Sequence, residues 1–188
     1  MKKVFRSLPV IKTKRLILRK LTSADAGDIY AYAGNPEVSR YTLWRPHSSL
    51  AQTRRFIANV RKNYRSGSPE NWGIEDRADA KLIGTIGFFY YDALNRKGEI
   101  HYALSQKYSG QGLMSEAVKA VMRFGFTRLR LNRIEAKCMP DNKASERVMQ
   151  KCGMRYEGLM RKALLAKGRF VDLKAYAILK SEFSGRIK

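Results

Sequence analysis

The sequence predicts an α+β domain: a largely antiparallel sheet, helices on its faces, and one strand–helix–strand crossover in the middle. Two observations predict it. Runs of strand composition follow one another across short polar turns at Asp76–Lys81, Asn95–Gly98 and Lys167–Gly168. Segments of helical periodicity are interspersed among them in mixed order, without a regular βα repeat. With 188 residues, 44% of them hydrophobic, the chain suits a single domain over residues 1–188 with its own core.

The elements are read in order. Arg15–Arg19 (RLILR) is a strand. Thr22 can cap a helix reaching Ala33, with Asp25 acidic in its first turn. Ser49 precedes a second helix whose Leu50, Phe56, Ile57, Val60 and Tyr64 share one face. Asn71–Glu75, Leu82–Tyr91 and Glu99–Ser105 are β-rich. A helix runs from Gly110-Gln111-Gly112 to about Leu129, with Ala117, Val118, Val121, Met122 and Gly125 inward. Arg133–Met139 is a strand, and Asn142–Lys151 is a short helix stopped by Gly153 as its C-terminal cap. Met154–Leu164 and Phe170–Leu179 are the last two strands.

Thirty-eight Lys and Arg against sixteen Asp and Glu give a net charge of +22. Such a field draws polyanions: nucleic acid, ribosomes or phosphate-rich ligands. The basic residues are scattered, so a generally basic surface and a dedicated patch both stay open. Cys138 and Cys152 lie in no metal-ligand spacing, and the histidines are His47 and His101 alone. No metal site is expected, and both cysteines read as small buried hydrophobes. No apolar run reaches the ~18 residues of a membrane helix. The basic start Met1–Ile11 lacks a signal peptide's apolar stretch. A cytoplasmic protein without membrane contact is the expectation.

The segment EIHYALSQKYSGQGLMSE, Glu99–Glu116, is a strand, a polar loop and a glycine-containing helix start. Gly110 and Gly112 allow close approach to the backbone, and first-turn N–H groups have no partner within the helix. With the helix dipole they form an anion site suited to a pyrophosphate. A P-loop is absent, and position 115 is Ser where a dinucleotide fold needs Gly. The glycines alone leave a plain helix entry equally open.

The stretch Ser109-Gly110-Gln111-Gly112-Leu113-Met114 resembles the acetyl-CoA signature [Q/R]xxGx[G/A] of the GCN5-related N-acetyltransferase (GNAT) superfamily. Gly112 matches; Ser109 and Met114 depart from the pattern. Thr13–Arg19 is similar to the TxRLxLR opening of the superfamily's ribosomal-protein N-terminal acetyltransferases, the Rim-type branch. Ile134-Glu135-Ala136, Asn142 with Ser145, Lys151 with Gly153, Glu157-Gly158, and Gly168 with Asp172 resemble that branch's later motifs. The likeness covers about residues 11–180 and implies a GNAT-like acyl-CoA N-acyltransferase fold.

The resemblance implies acetyl-CoA as co-substrate. Its pantetheine arm would pair with backbone at Tyr102, Ala103 and Leu104, where the strand splays from its neighbour. Its pyrophosphate would rest on the amides of Gly110, Gln111, Gly112, Leu113, Met114 and Ser115, with Asn142 on the arm or capping the short helix. The tyrosine that many members use as acid falls at Met149, which leaves Ser145 as the proton donor to test, with a plain helix-start hydroxyl as its alternative role. Glu99 and Glu135 are candidate bases, each with a solvated strand-edge carboxylate as the alternative reading, and His101 is a third on Glu99's side of the strand. Acceptor selection is expected from Asn35–Pro46, through Tyr41, Trp44 and Arg45 exposed in a loop; Trp44 closing the core is the alternative. The expected acceptor is a primary amine, foremost the N-terminus of a ribosomal protein. A small amine, whether a polyamine, an aminoglycoside or an amino-acid-like amine, is the second reading. A non-catalytic nucleic-acid or ribosome-associated module is the third, and the chain is a monomer or a homodimer.

Overall fold

Residue alternation decides how the sheet is covered. The computed structural model describes residues 5–184; of the basic start, Met1–Val4 lie outside them. Eight strands form one sheet in the order β1-β2-β3-β4-β5-β6-β8-β7. They are β1 Ile11–Lys12, β2 Leu16–Arg19, β3 Asn71–Asp76, β4 Leu82–Asp92, β5 Lys97–Leu104, β6 Arg133–Cys138, β7 Arg155–Ala166 and β8 Arg169–Leu179. Neighbours are antiparallel except β5 and β6. Among the described residues, the helices that accompany them include α1 Ala26–Ala33, α2 Pro36–Ser39, α3 Leu50–Ser66, α4 Leu113–Thr127 and α5 Lys143–Lys151. The parallel pair is joined through α4, the crossover the sequence predicts.

Thr85 and Ile86 are consecutive on β4 and so face opposite sides. Thr85 bonds the hydroxyl of Tyr32 on α1. Ile86 pairs with Trp72, whose ring meets Phe124 of α4 at 5.1 Å. Hence α1 covers one face and α4 the other. Helix α4 is buried nearly all round, and it lies so close to the sheet at Gly125 that a Cβ there would stand 2.8 Å from Ile134 Cδ1. On β6 the buried Ile134, Ala136 and Cys138 alternate with half-buried Arg133, Glu135 and Lys137. Trp72, fully buried, satisfies its indole by donating to the Pro9 carbonyl at 2.7 Å.

Several boundaries differ from expectation for local reasons. The helix expected from Thr22 opens as a 3-10 turn, Ser23–Asp25. Asp25 does accept from the Thr22 N–H, but its carboxylate also takes a two-pronged bond from Arg19. The helix expected from Gly110 begins at Leu113, because Gly110 and Gly112 both adopt left-handed φ, 80° and 77°. Strand β1 escaped notice for its two-residue length. Helix α2 was hidden in a stretch read as loop; Pro36 at its start and the Asn35 side chain accepting from Glu37 N–H are its signals.

Gly153 ends α5 as expected. At φ 83° it lets its own N–H reach Gln150 O (2.9 Å) and the Met154 N–H reach Met149 O (3.0 Å), the paired bonds of a Schellman turn. Its added Cβ would make only ordinary contact with Ile178, so the cost of a side chain is the left-handed backbone. Gly153→Ala should destabilise by about 1–2 kcal/mol, a fall in Tm of about 3–6 °C. Calorimetric melting checks this; an unchanged Tm would mean the turn has opened.

Candidate functional site

β5 and β6 are hydrogen-bonded neighbours over three residue pairs only, Lys97↔Arg133, Gly98↔Ile134 and Glu99↔Glu135. Beyond Glu99, β5 stays paired with β4 as far as Leu104, and β6 stays paired with β8 as far as Cys138. The two strands therefore part, and a cleft opens through the middle of the sheet. Tyr102, Ala103 and Leu104 all lie on the diverging stretch. Backbone polar groups on that side have no strand partner and must be met by solvent or ligand.

At the cleft's mouth, a 3-10 turn over Gln106–Tyr108 leads into the two left-handed glycines and α4. Among the described residues, the backbone N–H groups of 110 to 115 meet no protein acceptor. A Cβ on Gly110 would project into open space. The loop is fastened from β2: Arg15 donates from Nη1 to Gln111 O (2.9 Å) and from Nε to Glu116 (2.8 Å), and its own N–H reaches the same carboxylate (2.9 Å). Burial works to raise the pKa of Glu116, but hydrogen bonds from Thr13 and Arg15 outweigh it and hold the carboxyl below its ordinary range. Six outward amides over a helix N-terminus fit a pyrophosphate.

On the α4 face, the Tyr102 hydroxyl lies 2.9 Å from Ser145 Oγ on α5. Asn142 caps α5 by accepting from the Ser145 N–H at 3.1 Å, which leaves its amide NH2 uncommitted. Met149 is fully buried, so the position where many members carry a tyrosine belongs to the core. Both cysteines are free and buried, and loss of hydration pushes each thiol up to about 11. They are protonated fillers, as expected.

On the α1 face, the candidate bases are not free carboxylates at a strand edge. They stand opposite one another in mid-sheet, where like charges repel. Each has its own cation: Lys137 Nζ donates to Glu99 at 2.6 Å, and Arg133 Nε to Glu135 at 2.7 Å. Arg133 also grips Glu157. His101, two residues from Glu99, is exposed, with the Phe89 ring 5.7 Å away. Lost hydration pushes its pKa down to about 4.

Of the expected acceptor residues, Arg45 is exposed while Tyr41 and Trp44 are half-buried. Trp44 packs against the core and lies 5.8 Å from the His47 ring, so it closes the core as well as bordering the loop. The β7–β8 tip reaches this region unforeseen: Lys167 Nζ donates to Ser39 O at the end of α2, 2.6 Å. Desolvation, then Arg45 and Arg169, lower the pKa of Lys167. Arg15, the Tyr102 hydroxyl and the Lys167 tip were missed. Each acts through a contact between residues far apart in sequence.

No group of His, Cys, Asp or Glu among the described residues could hold a metal. No described helix is long and apolar enough to cross a membrane.

The model of the acetyltransferase (GNAT) domain family matches residues 15–155. The uncharacterized N-acetyltransferase p20 of Bacillus licheniformis is 35% identical over 95% of this chain and 100% of its own. A crystal structure of a GNAT-family acetyltransferase from Bacillus anthracis superposes with a TM-score of 0.82 at 32% identity, covering 93% of this chain and 100% of that one. More distant relatives carry named acceptors. The ribosomal protein uS5 alanine N-acetyltransferase of Escherichia coli is 27% identical over 86% of both chains. The spermidine N(1)-acetyltransferase of Vibrio cholerae is 23% identical over 92% of this chain and 97% of its own. The divided sheet, the glycine loop and these matches make the chain a member of the GNAT family, an acetyl-CoA-dependent N-acetyltransferase.

Proposed function

We propose that the acceptor is the N-terminal amine of a protein, of the class that the E. coli relative's name specifies, a ribosomal protein. One observation carries this reading: the rim between α2 and the β7–β8 tip is cationic. Arg45, Lys167 and Arg169 lie near enough to one another to depress the pKa of Lys167. Such a rim repels a polyamine and attracts a chain terminus followed by acidic residues. A small amine remains the second reading, supported by the Vibrio relative.

Acetyl-CoA supplies an acetyl thioester. Residues 110 to 115 would hold its pyrophosphate, and the backbone of Tyr102, Ala103 and Leu104 its pantetheine arm, with the uncommitted amide of Asn142 beside it. A backbone N–H of the diverging stretch would stabilise the oxyanion. The attacking amine must be neutral. With Glu99 and Glu135 committed to cations, His101 is the group left on that face to accept a proton, and it is uncharged at neutral pH. Ser145, positioned by Tyr102, would give a proton to the leaving thiolate. No enzyme nucleophile is needed, and the cysteines take no part.

Two outcomes concern the cofactor. Gly112→Asp, which sets a carboxylate on the phosphate cradle, should weaken acetyl-CoA binding on the order of 100-fold, about 2.7 kcal/mol. Arg15→Ala, which frees the loop without touching its amides, should weaken it about tenfold. Calorimetry on folded variants checks both, and unchanged binding in Gly112→Asp would remove the cradle from this loop.

Because desolvation lowers the pKa of His101 below its ordinary value, its imidazole is neutral at neutral pH. The acid limb of kcat/KM should then follow the acceptor's α-amino group, near about 8, with no His101 limb near 6.5. His101→Gln should lower kcat about 100-fold and leave that limb in place. Survival of full activity would return the proton directly to water.

Thiol release measured against a peptide panel and spermidine tests the acceptor. Arg45→Glu with Arg169→Glu should raise KM for peptides with acidic second and third residues about tenfold at low salt. KM for acetyl-CoA should stay put. Spermidine as the preferred substrate of the unaltered enzyme would decide for the small-amine reading.

A further inference from the structure

A second cationic site lies at the other end of β5. It is a depression of about 520 Å³ lined by Arg96, Phe126, Thr127, Arg130, Leu131, Asn132 and Lys180. Three chain segments remote in sequence meet here: the β4–β5 turn, the α4–β6 loop and the end of β8. They are tied at one residue. Asn132 donates its N–H to Arg96 O at 2.7 Å and accepts from Lys180 N–H at 2.9 Å. Each segment brings one cation, and no carboxylate lines the depression. The acidic groups nearby in sequence are already engaged. Asp92 accepts from Asn95 and from the Tyr90 hydroxyl, and Glu182 accepts from Leu179 N–H and pairs with Arg155.

Two of the three cations stand where the backbone argues against them. Arg96 and Arg130 have φ of 49° and 55°, a left-handed conformation that glycine or asparagine adopts more readily. The side chains of Arg96, Arg130 and Lys180 have no ion-pair partner among the described residues. Like charges gathered on a backbone-bonded frame repel one another, and a multivalent anion relieves that repulsion.

We propose that this depression binds the phosphodiester backbone of a nucleic acid. It is not the acetyl-CoA phosphate site: the eight residues of β5 separate it from the glycine loop, about 26 Å of strand. Phosphate oxygens match guanidinium forks in geometry and charge, and a backbone offers several in a row. The chain's net charge of +22 draws such a polymer in, while the depression fixes where it sits.

The test uses the full chain and a fluorescein-labelled RNA oligonucleotide, the DNA of the same sequence, and poly-glutamate, read by anisotropy across a salt series. The triple variant Arg96→Gln, Arg130→Gln, Lys180→Gln should lose at least about tenfold in affinity for the nucleic acids. Its slope of log K against log salt should shrink by about 2, at roughly 0.7 per phosphate contact for a single strand. A control, Arg54→Gln, Arg55→Gln, Lys62→Gln on the exposed side of α3, removes the same charge and should change the slope little. Acetyl-CoA turnover should persist in both, which certifies folding. If the triple variant unfolds, Arg130→Gln alone should still shrink the slope by about 0.7. Equal losses in both triples would leave only a diffuse field, and poly-glutamate binding as tightly as RNA would point to an acidic protein; either overturns the proposal.

Discussion

The catalytic half of the molecule depends on one side chain from the other half. Arg15 enters β2 and reaches across to the loop before α4, holding Gln111 O and the Glu116 carboxylate together. The Gln111 carbonyl accepts from Arg15, beside amides that meet no protein acceptor among the described residues. The left-handed glycines make that turn sterically possible, but they do not choose its direction. Arg15 is partly exposed, with 44% of its side-chain surface accessible against 10% for Glu116, so as an ion pair alone it would contribute little. Its value is geometric: three hydrogen bonds to one short segment fix a conformation that glycines by themselves would leave loose.

The second constraint is the parting of β5 and β6. A parallel pair needs a crossover, and here α4 supplies it. Pairing stops after three residues, so the helix start and the open strand edges come to one place. The cost shows at the fork, where Glu99 and Glu135 face each other. Lys137 and Arg133 neutralise them from the next positions on β6. Both carboxylates are thereby tied up at the fork, and His101 stands on the same face two residues beyond Glu99.

Much of this was legible in the sequence because it rests on local rules. Period-two burial in β6, the apolar face of α3, and the Schellman glycine at 153 all follow from neighbours a few residues apart. The loop was legible through Gly112 and its place after a strand. What stayed hidden depends on distance along the chain. Arg15 and Glu116 are 101 residues apart, Lys167 and Ser39 128, and Tyr102 and Ser145 43. No spacing rule reveals such partners. Glu99 looked available for the same reason, since Lys137 lies 38 residues away; the partner of Glu135, Arg133, is only two residues along its own strand and could have been paired with it by alternation. Met149 shows the reverse case, a position named by its motif spacing and taken by the core.

The sixteen carboxylates explain where the basic surface comes from. Many of them sit at joints between elements. Glu75 and Asp25 share Arg19, Glu116 takes Arg15, Glu99 takes Lys137, and Glu135 and Glu157 share Arg133. Glu146 fastens α5 to β8 through Lys174 and the Tyr176 hydroxyl, and these two bonds hold its pKa down to about 2. Carboxylates used in this way are not available to balance cations elsewhere. The excess of Lys and Arg therefore emerges at rims and loop ends, where no acidic partner was placed. With many acids used at joints, the fold's own ion pairs are satisfied while the exposed cations outnumber the exposed acids such as Glu37, Asp79 and Asp141. An enzyme built this way meets its partners through attraction to anions, and a polycationic acceptor would have to overcome that field before reaching the cleft.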